Sequence, residues 1–197
     1  MSQGEPARRG RWILYAVGLA AAAAASGMVM MALAPRNTEF TMDAIVSDVY
    51  QRFPEVEQLT AEDLAPKLTS AKPPLLIDVR DDAEYKVSHL AGAERVAPAS
   101  KPADVVTNLS AKVAGREVVY YCSVGLRSSE LASATQDGLV KAGATGVSSL
   151  VGGVFGWHNA KRALVDASGA PTEAIHPYNA KWGKLVERKE LIKLDAK

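Results

Sequence analysis

The chain contains a single cysteine, Cys122, at the point where a predicted strand ends and a predicted helix follows. The apolar run 117–121 is typical of a buried strand and leads directly into Cys122, and a strongly helical segment follows over 128–141. Ligands of open parallel sheets bind beyond the carboxyl ends of the strands, where helix-opening N–H groups and the helix dipole favour negative charge. We therefore expect the Cys122 sulfur to be stabilised as a thiolate, the reactive form of cysteine.

The residues that follow the cysteine favour a reactive role over the alternative, a small buried apolar residue. Gly125 permits backbone angles that let the loop curl around the sulfur. Arg127 adds a permanent positive charge and a planar guanidinium that fits an oxyanion. This combination favours nucleophilic attack by sulfur on an anionic substrate that is rich in sulfur or oxygen.

The composition of the 197 residues narrows the classes of function. One cysteine excludes an intramolecular disulfide and a cysteine-rich zinc site, and the three histidines show no zinc-ligand spacing. A net charge of +1 gives no reason to expect nucleic acid as a partner. With 48% hydrophobic residues the chain has enough apolar side chains to form a core. We expect neither a metal nor a cofactor at the cysteine.

Helical and strand patterns alternate from about residue 39 onward. The sequence predicts helices over 42–52, 60–68, 105–113, 128–141 and 155–162. It predicts strands over 75–79, 93–96, 117–121 and 147–150. Strands separated by helices indicate one α/β domain, in which a central parallel sheet is flanked by helices.

The segment between Trp12 and Pro35 carries no charged residue over 24 positions. As a helix it would reach roughly 36 Å, enough for a hydrocarbon core of about 30 Å. We therefore predict one transmembrane helix over 12–35, with a cleaved signal peptide or a buried helix as the alternatives. Three arginines precede the run and one follows it. This asymmetry favours a cytoplasmic segment 1–11 and a C-terminal part on the periplasmic side of the inner membrane.

Four separated motifs resemble those of the rhodanese-like family, in the family's order and spacing. They are Leu76-Ile77-Asp78-Val79-Arg80 with Glu84-Tyr85, His89-Leu90-Ala91-Gly92-Ala93, Val118-Val119-Tyr120-Tyr121-Cys122 with Gly125-x-Arg127-Ser128, and Gly152-Gly153 before Trp157. The resemblance covers residues 56–165 and implies a three-layer rhodanese-like domain there. Segment 36–55 would then be a linker with an amphipathic helix, and 166–197 a C-terminal extension.

The resemblance implies a sulfurtransferase, in which a cysteine accepts a sulfane sulfur as a persulfide and passes it to a thiophilic acceptor. By that resemblance Cys122 carries the persulfide, and Arg127 helps to bind an anionic donor. The cradle around the persulfide would be formed by Ser123, Val124, Gly125, Leu126 and Ser128. Structural support for the loop is expected from Asp78, Arg80 and His89. The implied partners are a small anionic sulfur donor and a thiol or protein acceptor.

Two other functions remain open on the sequence alone. Cysteine-dependent phosphatases and arsenate reductases use a Cys-x5-Arg loop, whereas the spacing Cys122-x4-Arg127 is one residue shorter and suits one sulfur atom better than a phosphate group. A catalytically inert rhodanese module that binds a partner protein would keep the same loop. Ser123 and Val124 stand where basic residues can occur in thiosulfate-using rhodaneses, so thiosulfate is not singled out as the donor.

Overall fold

A five-stranded parallel sheet forms the centre of the molecule in a computed structural model, which describes residues 40–195. The strand order is β1-β5-β4-β2-β3, and all four neighbouring pairs are parallel. The strands are β1 (Glu57–Leu59), β2 (Leu75–Asp78), β3 (Glu94–Arg95), β4 (Glu117–Tyr121) and β5 (Gly146–Leu150). Because β4 is the central strand, the loop that follows it lies at the middle of the carboxyl edge of the sheet.

Six α-helices in the described residues cover the two faces of the sheet. They are α1 (Met42–Arg52), α2 (Ala61–Leu68), α3 (Asp82–Val87), α4 (Pro102–Leu109), α5 (Leu126–Lys141) and α6 (Gly153–Asn159). Alternate residues of β4 face opposite sides of the sheet. Val119 and Tyr121 pack with residues of α2 and α6, whereas Val118 and Tyr120 pack with residues of α4 and α5. The predicted α/β fold, a parallel sheet flanked by helices, is confirmed.

The structure differs from the sequence prediction mainly in short elements. Strand β1 and helix α3 were not predicted, because three and six residues are too few to establish a periodic pattern. Two further short strands, β6 (Leu164–Val165) and β7 (Pro171–Thr172), form an antiparallel hairpin after α6. Helix α4 begins three residues earlier than predicted, with Pro102 at its first position, where a missing N–H costs nothing.

The C-terminal residues pack against the domain instead of leaving it. Ile175, Leu185 and Val186 are buried in the same core as α6. The side chain of Asn159, at the end of α6, donates to the Leu185 carbonyl at 2.9 Å and accepts from the Glu187 N–H at 3.0 Å. Residues beyond the hairpin are therefore positioned by specific contacts with the sheet domain.

The predicted transmembrane helix 12–35 and the predicted cytoplasmic segment 1–11 lie outside the described residues. Within residues 40–195, none of the helices combines the length and the apolar character that a membrane span requires.

Candidate active site

Cys122 follows β4 directly, and its sulfur lies inside the turn that leads into α5. The side chain is buried, with 1% exposed. The backbone N–H of Gly125 donates to Sγ at 3.2 Å, and the hydroxyl of Ser128 lies 3.7 Å from Sγ. The hydroxyl of Ser149, on the neighbouring strand β5, donates to the Ser128 hydroxyl at 2.9 Å. Of the predicted cradle residues, Gly125 and Ser128 lie close to the sulfur, and the cradle as a whole stays a prediction.

The first turn of α6 holds the loop in this conformation. The N–H groups of Val154 and Phe155 donate to the carbonyls of Cys122 and Ser123, at 2.8 and 3.0 Å. In a planar trans peptide the N–H points opposite to the C=O, so the N–H groups of Ser123 and Val124 are directed away from α6. Within residues 40–195, neither of these two N–H groups has a hydrogen-bond partner. They remain available to a negatively charged group bound in the loop.

The close approach of α6 to the loop depends on Gly153. A Cβ on this residue would lie 2.4 Å from the Cys122 carbonyl oxygen and 2.6 Å from the Val124 nitrogen, far inside van der Waals contact. The backbone φ of Gly153 is also +56°, in the left-handed region that glycine tolerates best. Gly153 in the Gly152-Gly153 motif is therefore explained by the loop that it must touch.

Arg127 extends from the first turn of α5 towards two carboxylates of α3 and its N-cap. Its Nη2 lies 3.3 Å from both carboxylate oxygens of Glu84, and its Nη1 lies 3.8 Å from Oδ2 of Asp81. Burial opposes the charged form, but the Cys122 thiol and the two carboxylates raise the pKa of Arg127. The sequence predicted that this guanidinium meets a substrate anion, and in the structure it is paired with carboxylates of its own chain. Its role in donor binding stays a prediction.

Glu84 is a part of the site to which the sequence argument gave no role. It is 1% exposed, and its Oε1 accepts a hydrogen bond of 2.7 Å from the Ser123 hydroxyl. Its Oε2 accepts from the Asp81 N–H at 3.1 Å, which closes a capping box at the start of α3. The signal that could have found it is the spacing Asp81-x-x-Glu84, which marks a helix N-terminus. This carboxylate joins α3 to the cysteine loop.

Asp78 and Arg80 form a fully buried ion pair beside the loop. Nε and Nη2 of Arg80 donate to the Asp78 carboxylate at 2.9 and 2.6 Å, and Nη2 also donates to the Ser88 carbonyl at 2.6 Å. Although burial opposes its charge, the Asp78 carboxylate raises the pKa of Arg80 above the usual value. The guanidinium lies 5.8 Å from the ring centre of Tyr121, the residue before the cysteine. The pair is therefore placed where it stabilises the end of β4.

His89 lies at the edge of the domain and contacts the hairpin. Its Nδ1 donates to the Tyr85 carbonyl at 3.0 Å, and its ring stacks on the Tyr85 ring at 3.8 Å between centres. Its backbone exchanges two hydrogen bonds with Val165. Burial lowers the pKa of the ring, which favours the neutral form. These contacts are structural, and within the described residues His89 does not line the cleft at the cysteine.

A cleft of about 200 Å³ opens over the cysteine loop. One side is formed by the loop itself, and the other by Tyr178 and Trp182 of the C-terminal extension. The Arg127 guanidinium lies 4.9 Å from the ring centre of Tyr178. The ring of Trp182 packs edge-on against Phe40, at 5.1 Å between centres. Sequence reasoning missed both aromatic residues as site components, since their distance in the chain from Cys122 gives no signal.

The described residues hold no group of three or more His, Cys, Asp or Glu side chains that could bind a metal ion. The chemistry available at the cleft is that of one buried sulfur, backbone N–H groups of the loop, two hydroxyls and an arginine–glutamate pair.

Comparison with known proteins identifies the family to which this chain belongs. The family model of the rhodanese-like domain matches residues 60–160, so the chain belongs to the rhodanese-like family. A curated relative, the probable adenylyltransferase/sulfurtransferase MoeZ of Mycobacterium tuberculosis, is 29% identical over 116 residues. That match covers 57% of this chain and 27% of MoeZ.

Solved structures with a similar fold include a thiosulfate sulfurtransferase from Pseudomonas aeruginosa, with a TM-score of 0.49 and 21% identity over 66% of this chain and 23% of that one. The BH2092 protein of Bacillus halodurans has a TM-score of 0.48 and 18% identity over 70% of this chain and 97% of that one. The chain thus spans about a quarter of the length of MoeZ and of the Pseudomonas enzyme.

Replacing Gly153 by alanine tests the contact between α6 and the loop. We expect Gly153→Ala to lower the free energy of unfolding by about 2–4 kcal/mol, because backbone strain and overpacking add. Gly92→Ala is the matched control, since Gly92 also has a positive φ, +77°, but nothing within 4 Å of its would-be Cβ. It should cost about 1–2 kcal/mol, from strain alone. If urea unfolding shows the same loss of unfolding free energy in both variants, the close approach of α6 to the cysteine loop is contradicted.

Removing one partner of the buried ion pair tests its contribution to stability. We expect Asp78→Asn to cost about 3–5 kcal/mol in urea unfolding, because the Arg80 charge is left buried without its carboxylate. The double variant Asp78→Leu with Arg80→Met should recover part of that loss. Asp82→Asn breaks the exposed pair with Lys86 and is expected to cost far less. A loss for Asp78→Asn no larger than for Asp82→Asn would refute this account.

Proposed function

We propose that the protein is a sulfurtransferase that carries sulfane sulfur as a persulfide on Cys122. The observation that carries the proposal is the sulfur itself, buried at the end of β4 with the Gly125 N–H directed at it at 3.2 Å. Membership in the rhodanese-like family and the sulfurtransferase name of the relative MoeZ support the same reaction class.

In the loading step the Cys122 thiolate attacks the outer sulfur of a donor. A new S–S bond forms to Cys122 while the bond between the donor and that sulfur breaks, and the donor leaves with the electron pair. The terminal sulfur of the resulting persulfide is negatively charged or readily ionised. The unpartnered N–H groups of Ser123 and Val124 are suited to donate to it, at the place where the helix dipole of α5 also favours negative charge.

In the discharge step a nucleophilic acceptor attacks the outer sulfur and Cys122 leaves as the thiolate. The sequence contains no second cysteine, so a resolving thiol must come from another molecule. The shorter loop spacing favours this reaction over phosphate or arsenate chemistry, because a Cys-x4-Arg ring encloses a smaller group. The arginine is also occupied by Glu84, where a phosphate would need it.

Mass spectrometry of the intact protein tests the proposal directly. After exposure to inorganic polysulfide or thiosulfate and removal of the excess, we expect wild-type protein to gain one sulfur atom. Cys122→Ser should gain none, and an added thiol should return the loaded wild type to its original mass. If neither donor, nor any organic persulfide, adds sulfur to Cys122, the protein is not a sulfurtransferase and the inert binding module becomes the better description.

We further propose that segment 12–35 anchors the domain in the inner membrane and places it on the periplasmic side. The support comes from the sequence alone: an uncharged run long enough for a span, with most of the flanking arginines before it. Under this proposal the rhodanese-like domain meets its donor and acceptor outside the cytoplasm.

Three measurements on the full chain test the topology. We expect the protein to stay in the membrane pellet after a high-salt wash, with its original N-terminal sequence, and alkaline phosphatase fused after Lys197 to be active. A shortened N-terminus would indicate a cleaved signal peptide instead. An inactive fusion together with protein in the soluble fraction would overturn the anchor and its orientation.

A further inference from the structure

The charge around the cleft is poorly suited to a small dianion. Arg127 is the charged side chain among the described residues that line the cleft, and it faces two carboxylates, Glu84 and Asp81. Glu84 is 1% exposed and is held by hydrogen bonds from Ser123 and from the Asp81 backbone, so it has no path into solvent. An anion that bound Arg127 would therefore do so beside a fixed negative charge, at a distance where repulsion is strong in a partly buried site.

The opposite wall of the cleft is aromatic and lies outside the segment that matches the family. Tyr178 and Trp182 follow residue 160, where the family match ends. Together with Val124 and Leu126 of the loop they give the cleft an apolar lining above the sulfur. Apolar and aromatic walls with few polar groups are the usual lining of a site for an organic ligand.

The aromatic wall is held in place by backbone contacts. The Tyr178 N–H donates to Nδ1 of His176 at 3.0 Å, and the Trp182 N–H donates to Oδ1 of Asn179 at 3.1 Å. Tyr178 has a φ of +61°, a left-handed conformation that costs about 1–2 kcal/mol for a bulky residue. Strain of this kind persists where the surroundings enforce it and marks candidate functional positions. Here it directs a half-exposed tyrosine ring to the arginine and the cleft.

We infer that the site takes an uncharged organic thiol and its persulfide, whose apolar group packs against Tyr178 and Trp182. This inference rests on the proposed sulfurtransferase function and specifies its substrate class. A cleft of about 200 Å³ is smaller than the roughly 300–1,000 Å³ of sites for drug-sized ligands, so the organic group is small. Thiosulfate and sulfite are disfavoured, because they bring two negative charges to a site whose cation is already paired.

The transfer to such a thiol balances without an oxidant or a reductant. The thiolate R–S⁻ attacks the outer sulfur of the Cys122 persulfide, Cys–S–SH. A new S–S bond forms between the thiolate sulfur and the outer sulfur, while the S–S bond between the outer sulfur and Cys122 breaks. The products are R–S–SH and the Cys122 thiolate. In the opposite direction the same organic persulfide loads Cys122. One sulfur atom moves, and the total charge stays the same.

The experiment compares two acceptors on the same loaded protein. Full-length protein is loaded with inorganic polysulfide, desalted, and mixed with benzyl mercaptan or with sulfite, and the loss of the extra sulfur is followed by intact mass spectrometry. The measured quantity is the ratio of the benzyl mercaptan rate to the sulfite rate. In Tyr178→Asn, where asparagine tolerates the left-handed backbone, we expect this ratio to fall about three- to tenfold. Tyr178→Phe should keep it, since the ring remains.

Tyr50→Asn is the matched control, because Tyr50 is exposed to a similar extent, 48% against 44%, and lies in α1 away from the cleft lining. It should leave the ratio unchanged. If neither polysulfide nor an organic persulfide loads Cys122, the proposed function fails and this inference fails with it. If Cys122 loads but Tyr178→Asn leaves the ratio unchanged, the substrate class is refuted while the sulfurtransferase stands. The substrate class is also refuted if the ratio falls equally in Tyr50→Asn.

Discussion

The site depends on one constraint: the peptide groups after β4 must turn their carbonyls towards α6, which directs the N–H groups of Ser123 and Val124 to the opposite side. The first turn of α6 meets this constraint by donating to the carbonyls of Cys122 and Ser123. The first N–H groups of a helix have no partner within the helix, and those of α6 donate to the carbonyls of the loop. Helix α5 begins where the loop ends. The absence of a side chain at Gly153 lets the two backbones come this close.

The same arrangement explains the charges beside the sulfur. The Cys122 sulfur and the Glu84 carboxyl group are both buried, and a buried charge on either needs compensation. Arg127 supplies it for Glu84 through direct contact and for Cys122 through its field, which agrees with its raised pKa. Glu84 in turn fixes Ser123 and caps α3. The carboxylate therefore positions the loop and the arginine.

Sequence patterns predicted the parts of the molecule that are long or periodic. The bounds of α1, α2 and β4 agree with the predicted ones, since amphipathic spacing, a capping box and a buried apolar run each mark them clearly. The cysteine loop was located because a strand, a cysteine and a glycine occur in order within a few residues. Helix α3 and strand β1 escaped prediction because they are too short to show a period. The pairing of Glu84 with Arg127 escaped because it joins residues 43 positions apart.

The position of the C-terminal extension over the cysteine loop could not be predicted from sequence motifs. A motif captures residues that are close in sequence, and the segment 60–160 that matches the family contains the sulfur and its loop. The wall that faces the loop comes from Tyr178 and Trp182, and contacts of Asn159 and Phe40 with distant parts of the chain, which no local pattern encodes, help to place it. Chemistry at the sulfur can thus be common to a family, whereas the surface that meets the substrate's organic group is supplied by a segment outside it. Under the inferred substrate class, discrimination between substrates would be a property of the extension and of its packing on the domain.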